Sequence, residues 1–526
     1  MVVLWACFFA RLLFYSAMLP LWEGYDEWAH FAVVRQMAFG GHLLVSREAP
    51  IPRDVEASLQ LAPVPWELRS LPPPAVTEDE YWKLTPKERA RRQLAVRTMP
   101  ASWGREDGTG VLKAYEALQP PLYYWMVAPV LRSWRGSGLL AQVLALRLFS
   151  SLIASLVVPF VFLVGLEVWD DMGIALASAA VVAVMPGLAL DVARVGNDSL
   201  AVALFTLLTW IAVKAVRRGM DLHRAAAIGI VLGFGLLTKA YFLTAIPALL
   251  AVGWLGRRRL PEFLRTLLSI GISVAIAGWW YLRNLRTGGT LSGLSEAVML
   301  RRMSAFEMVR RSAAIDWWKA VDSIFFSHLY FGGWSSLTVR SWMYHIFFIL
   351  ILAAAIGIFR IVRRPAIAAL LAIYLCFWLG QLYNVVILYL SKGLAGSMGW
   401  YMYAVVGAEV TLCVAGLRSL LPRRVSSWIP AAGAVLFALL DLYTVHAVAI
   451  PYYAGVIRHR GNGSLEALHW AGLQSVGIGQ TVGRLSEFVP PALLAGLWLL
   501  YLGGIAGALV CARTQDSPDN RREKTA

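Results

Sequence analysis

An apolar run from Met1 to Trp22 is followed almost at once by Gly24-Tyr-Asp-Glu-Trp-Ala-His30, which gathers two carboxylates and an imidazole at a membrane-sized boundary. Helical spacing puts Asp26 and His30 one turn apart. Asp26 is the candidate general base of this patch, with Glu27 and His30 beside it as candidate substrate contacts. The plainer roles are a helix N-cap for Asp26 and a polar helix face for Glu27 and His30. A second cluster is Tyr115-Glu-Ala-Leu-Gln-Pro-Pro-Leu-Tyr-Tyr124, where the double proline starts a helix and aims Gln119, Tyr115 and Tyr123 back along the surface. Taken singly, such tyrosines are residues of a membrane-interface belt. A third is the polar turn Arg194-Val-Gly-Asn-Asp-Ser199, with Asp198 at the head of the next helix. Lys239 breaks an apolar stretch from Ile228 to Leu255, and a lysine at membrane depth is costly enough to mark function unless it snorkels to the headgroups. Arg283 closes Trp279-Trp-Tyr-Leu-Arg-Asn284. On one membrane face, Arg194, Lys239 and Arg283 would meet Asp26, Glu27 and Asp198. Moving a sugar from a lipid phosphate to an alcohol needs this set: a base for the acceptor proton and fixed cations for the departing phosphate. A phosphate leaves without a general acid, unlike the alcohol released in glycoside hydrolysis. Asp26, Glu27, His30 and Asp198 also have the donor types of a divalent-metal site, but the chemistry as read requires no cofactor and no metal.

The elements that must position these residues are transmembrane. Of 526 residues 58% are hydrophobic and 15% charged, which excludes a soluble enzyme. Apolar runs of about 20 residues recur along the chain, each long enough to cross a bilayer. The formal charge of +16 sits in short clusters between these runs and is not accompanied by any nucleic-acid motif, so it reports orientation. Cys7, Cys376, Cys413 and Cys511 lie in apolar runs, so neither a disulfide framework nor a cysteine metal site follows. The expected fold is an all-α polytopic membrane protein of about twelve spans: 1–22, 146–168, 173–192, 198–216, 224–238, 240–256, 262–283, 342–362, 366–390, 399–421, 427–448 and 491–512. Neither an internal repeat nor a broken mid-membrane helix is evident. With Met1 cytoplasmic, the clusters Lys214/Arg217/Arg218, Arg257–Arg259, Arg360/Arg363/Arg364, Arg418/Arg423/Arg424 and Arg521/Arg522 all fall on the cytoplasmic side. Both termini are then cytoplasmic. Residues 23–144, 284–341 and 449–490 form extracytoplasmic loops, residues 145–283 and 342–448 membrane cores, and 513–526 a cytoplasmic tail. Within the first loop, residues 28–39 and 121–134 read as helices lying in the interface. A water-soluble helix is announced by Thr85 as N-cap, Pro86 at its first position and Glu88 three residues after the cap.

The Asp26-Glu27 opening of the first loop, the Pro-Pro-Leu-Tyr-Tyr124 segment, the Asp198 head, the Gly-Leu-Leu-Thr-Lys239 run and the Trp-Tyr-Leu-Arg-Asn284 ending resemble, in order and topology, the GT-C superfamily over about residues 1–420. Protein O-mannosyltransferases and the transferases that put aminoarabinose on lipid A belong to it. The resemblance implies a GT-C-like bundle and a polyprenyl-phosphate-linked sugar donor. It also implies inverting transfer to a glycan, lipid or protein acceptor on the extracytoplasmic face, with Asp26 as base. Ser327-His-Leu-Tyr-Phe-Gly-Gly-Trp334 is similar to a bacterial branch, and no retention or lipidation signal is present, so a bacterial inner membrane is expected. Two positions depart from the family pattern: Trp400-Tyr401 stands where an Arg-Tyr pair is usual, with Lys392 as a candidate replacement, and Gln119 stands where Lys or His is common. Glu409 and Asp441 have no family role and read as polar ties between helices. A lipid or solute transporter, or an inactive GT-C-like scaffold in envelope polysaccharide assembly, are the competing readings.

Overall fold

The computed structural model describes residues 1–255, 260–469, 474 and 476–513. The Arg257–Arg259 cluster and the 514–526 tail with Arg521 and Arg522 lie outside the described residues. Helices dominate the described residues, with a two-residue parallel pairing of Pro63–Val64 with Val76–Thr77 and a few isolated bridges beside them. Among the described residues eight helices are long and apolar enough to cross a membrane, or nine if one bent pair counts as a span. Three further expected spans are shorter apolar helices, Val2–Met18, Leu222–Leu236 and Ala240–Trp254, so the count of twelve is not reached on length. The bent pair, Met172–Ala183 and Pro186–Val192, turns by 63° and corrects the expectation of unbroken helices. Pro186 explains it: without an N–H the residue opens a new helix at its first position instead of extending the old one.

The first helix packs along the last, Pro491–Arg513, and against Leu139–Ser155. Charge is buried at that seam. Arg11 meets Asp441 at 2.8 Å, and the Tyr15 hydroxyl donates to the same carboxylate at 2.6 Å, so Asp441 ties helix Val2–Met18 to helix Ile429–Tyr443. Glu409 does likewise for His328 at 2.9 Å. Helices Ser341–Ile361 and Val406–Leu420 cross at Gly357 and Gly416, where neither backbone leaves room for a Cβ.

In the first loop the soluble helix runs Pro86–Arg97, with the Thr85 side chain accepting from the Glu88 N–H at 3.2 Å. The two expected interfacial helices are Glu27–Gly40 and Leu122–Ser133, packed on each other. Helix Glu27–Gly40 differs from expectation, because it is buried on nearly every side. Its apolar residues encircle it, so it forms the core under the loop instead of resting one face on lipid.

Candidate active site

The Gly24–Glu27 turn delivers Asp26. Gly24 is required by close approach: a Cβ there would sit 2.6 Å from Arg194 Cδ. Tyr25 stacks face to face on Trp400, with centroids 3.8 Å apart, and its hydroxyl donates to the Phe331 carbonyl. Glu23 accepts from both the N–H and the hydroxyl of Ser335, each at 2.8 Å, and its carbonyl accepts from Trp334 N–H. Asp26 itself takes a left-handed conformation, φ 54° and ψ 19°, in which a residue with a side chain is held only by its surroundings. It precedes helix Glu27–Gly40, yet its side chain makes no capping bond. One oxygen accepts from the Tyr115 hydroxyl at 2.5 Å.

Across the turn lies a charge network. Arg194 donates to the Tyr25 carbonyl at 2.7 Å, to Asp191 at 2.9 Å and to Asp198 at 2.6 Å. Lys239 pairs with the other Asp198 oxygen and lies over the rings of Tyr401 (4.9 Å) and Tyr241 (5.4 Å). Lys239 therefore does not snorkel to the headgroups, and Asp198 is a bridge between two cations, not a cap. Glu27 is fully buried and forms a two-point ion pair with Arg147, at 2.7 and 2.6 Å, while also accepting from Val195 N–H. Arg147 completes its bonding on the carbonyls of Ser16, Leu19 and Pro20. Tyr123 shares a hydrogen bond with Ser150 and accepts from Gly196 N–H. Gln119 comes within 3.5 Å of Asn197. His30 is hydrogen-bonded to Tyr124 at 2.8 Å and stands 3.6 Å from Glu116.

The structure thus brings Asp26, Tyr115, Arg194, Asp198 and Lys239 together, with His30 and Gln119 at the margin. Glu27 and Tyr123 are spent on protein partners behind the turn. Arg283 is not drawn in by its contacts and lays its guanidinium over Trp280 at 4.9 Å. Lys392 pairs with Glu296 at 2.6 Å, whereas Trp400 and Tyr401, the departing pair, form the platforms under Tyr25 and Lys239.

Burial raises the Asp26 carboxyl above its ordinary range, while the Tyr115 hydrogen bond and the Arg194 and Lys239 charges pull it back. Burial, and then the Asp26 charge, hold Glu116 well above the carboxylate range. Burial and the same two cations push His30 far below its usual value, so it is neutral. Asp26 makes no ion pair among the described residues. It is half-buried and keeps one oxygen open, whereas the unpartnered oxygens of Glu116 and Asp191 are fully buried. Among the described residues no three of His, Cys, Asp and Glu converge as a metal-holding group. Beside the turn opens a cleft of about 660 Å³, lined by Tyr115, Lys113, Arg47, Met299, Arg301 and Arg302.

Sequence reasoning missed Arg147, Asp191 and Glu116. The first two carry the signal that flagged Lys239, a charge inside an apolar run.

No family model matches the chain. It is 28% identical over 170 residues to the undecaprenyl phosphate-alpha-4-amino-4-deoxy-L-arabinose arabinosyl transferase of Pseudomonas savastanoi pv. phaseolicola (strain 1448A / Race 6), a match covering 31% of each protein. The chain thus spans about a third of the length of that curated relative. The crystal structure of ArnT from Cupriavidus metallidurans bound to undecaprenyl phosphate superposes with a TM-score of 0.50 at 15% identity, over 98% of this chain and 75% of that one. An oligosaccharyltransferase from Archaeoglobus fulgidus reaches a TM-score of 0.39 at 13% identity, over 84% and 52%. The chain shares the GT-C membrane fold of ArnT, the fold that its own motifs resemble.

Proposed function

We propose that the protein is a membrane glycosyltransferase that moves a monosaccharide from a polyprenyl-phosphate carrier to an acceptor hydroxyl. The carrying observation is Asp26, an ionisable carboxylate with an open oxygen, held beside cations that are themselves locked in place. Asp26 takes the acceptor proton as the oxygen attacks the anomeric carbon; the bond to the phosphate oxygen breaks, and the phosphate departs with that electron pair. Lys239 is the cation that receives it, because an ammonium has three donors and the described carboxylate partner uses one. Arg194 is spent on Asp191, Asp198 and the Tyr25 carbonyl and serves to set the turn. One base without a second placed carboxylate nucleophile supports inversion. The likeness to a curated aminoarabinose transferase and to the fold of an undecaprenyl-phosphate-bound enzyme supports a polyprenyl-phosphate pentose or hexose as donor.

Asp198 starts its helix at the site, and Arg217 and Arg218 end it on the opposite face. Positive-inside topology supports an extracytoplasmic Asp26 with both termini cytoplasmic, and a bacterial inner membrane is the setting of this reading. No metal is needed in this reading, since Glu27 is spent on Arg147 and Asp198 on two cations. The bent Met172–Val192 span, like the intramembrane charges Lys239, Glu409 and Asp441, is a feature that a transporter would use. Its second half, however, delivers Asp191 to Arg194, within the same locked network.

The test is single-turnover transfer from a panel of radiolabelled polyprenyl-phosphate monosaccharides in nanodiscs, with envelope extract as acceptor and EDTA in a parallel arm. Label should move with wild type and not with Asp26→Asn, and chelation should leave the rate unchanged. Donor neither bound nor turned over would defeat the proposal in favour of transport or a scaffold.

A further inference from the structure

The segment between helix Leu260–Gly288 and helix Trp317–Leu329 has a surface that the transferase reading does not use. Its helix Ala305–Ser312 buries no residue, though it touches helix Pro365–Lys392. Glu307, Met308 and Ser312 are its half-buried residues. The outer face carries Phe306 and Val309, 78% and 70% exposed, followed by Ala313 at the spacing of one helical stripe. Met299 (66% exposed) and Leu291 are exposed apolar residues of the same segment, and Trp318 is exposed at the start of the following helix. Water offers no reason to keep such a stripe bare. Arginines frame it: Arg301, Arg302, Arg310 and Arg311 are all exposed. Two acidic residues of the segment are already matched, Glu296 by Lys392 at 2.6 Å and Glu307 by Arg311 at 2.6 Å, and Asp316 caps the following helix.

From this juxtaposition we infer that residues 291–313 form a membrane-resting strap, with Phe306, Val309 and Met299 sunk below the headgroups and the arginines on anionic phospholipid phosphates. An apolar stripe rimmed by surplus arginine fits a bilayer interface of negative charge. The chain on either side supports that occupant, because one end leaves a membrane span and the other enters a helix with free tryptophans. The strap shares the membrane face of the Asp26 turn: Met299, Arg301 and Arg302 line the cleft that Tyr115 also lines. Arginines near an anionic leaflet are drawn toward it, so lipid charge should govern how deeply the strap sits.

The experiment needs no turnover, so its failure is separate from failure of the transferase reading. Nitroxides are placed by Phe306→Cys and Val309→Cys in full-length protein whose native cysteines are replaced by alanine. Asn462→Cys in an exposed turn is the water reference, and Leu352→Cys in a span the lipid reference. In nanodiscs of phosphatidylcholine with phosphatidylglycerol, positions 306 and 309 should relax with oxygen as 352 does and be several-fold shielded from a nickel chelate relative to 462. Phosphatidylcholine alone should make both shallower. Nickel reaching 306 and 309 as freely as 462, or depth indifferent to lipid charge, would overturn the inference. Hydrogen exchange of the unmodified chain reads the same point without labels: amides of 300–313 should be more protected in the anionic discs, and equal protection in both would also overturn it.

Discussion

The Tyr115 hydroxyl donates to the Asp26 carboxylate across 2.5 Å, joining two residues from opposite ends of the first loop, and it also lines the cleft beside them. This bond favours the ionised base, against burial, which raises its pKa. A hydrogen bond to a charged group contributes about 1.5–3 kcal/mol, or about one to two pH units. Tyr115→Phe should therefore move the acid limb of the kcat/KM profile upward by about that much, while the rate well above the limb recovers. A limb that stays in place would mean that the phenol does not act on the base.

Lys239 should be needed for the chemical step. Losing one fixed donor to a developing anion costs about 10²–10³ in kcat. Lys239→Met is expected to show that loss in single-turnover transfer, and Lys239→Arg to restore part of it. Thermal unfolding measured beside them separates this from damage, since Lys239→Met also leaves Asp198 with Arg194 alone. Transfer unchanged in Lys239→Met would remove the lysine from the mechanism.

Glu27, placed by its sequence position among substrate contacts, should prove to be a support for the turn. Removing one member of a buried ion pair costs about 3–5 kcal/mol, because the other is left charged and dry. Glu27→Gln and Arg147→Met should each lower the unfolding midpoint sharply, and the double variant should cost less than the sum of the two. A raised KM with an unaltered midpoint in Glu27→Gln would instead return the residue to the substrate.

What the sequence made legible follows from local physics. Asp26, Asp198 and Lys239 stood out because a charge at an apolar boundary is costly, and the structure brings these three together with Arg194. Arg283 obeyed the same rule and went elsewhere, since a helix end can be satisfied by stacking on its own Trp280. The same signal at Arg147 and Asp191 was there to be read. The Pro186 break was equally local, but hydropathy averages over it. Other relationships have no local trace. Glu23 and Ser335 meet across 312 residues, and Trp400 beneath Tyr25 is a tertiary pairing that no periodicity encodes. Helix Glu27–Gly40 was read as interfacial from one stripe, although Ala29, Ala32 and Val33 on its other sides had no water to face.

That distant pairing gives the last prediction. Burial pushes the Glu23 carboxyl up to about 8, against the hydrogen bonds from Ser335 that favour its charge. An acid whose folded pKa lies above its unfolded value near 4.3 stabilises fully below that lower value. The contribution is lost as pH rises toward 8. Unfolding midpoints in nanodiscs should thus decline between about pH 5 and pH 8 and level off above. Glu23→Gln should flatten much of this slope, because the amide oxygen still accepts from Ser335 N–H and the Ser335 hydroxyl can turn to accept from the amide nitrogen. Glu116, also held high by burial, accounts for a remainder that Glu116→Gln should remove. A slope undiminished in the double variant would show that these carboxyls do not govern stability. Because Glu23 lies three residues before Asp26 and is fastened to the 330–337 segment, Ser335→Ala should in addition slow transfer at pH values where the chain remains folded.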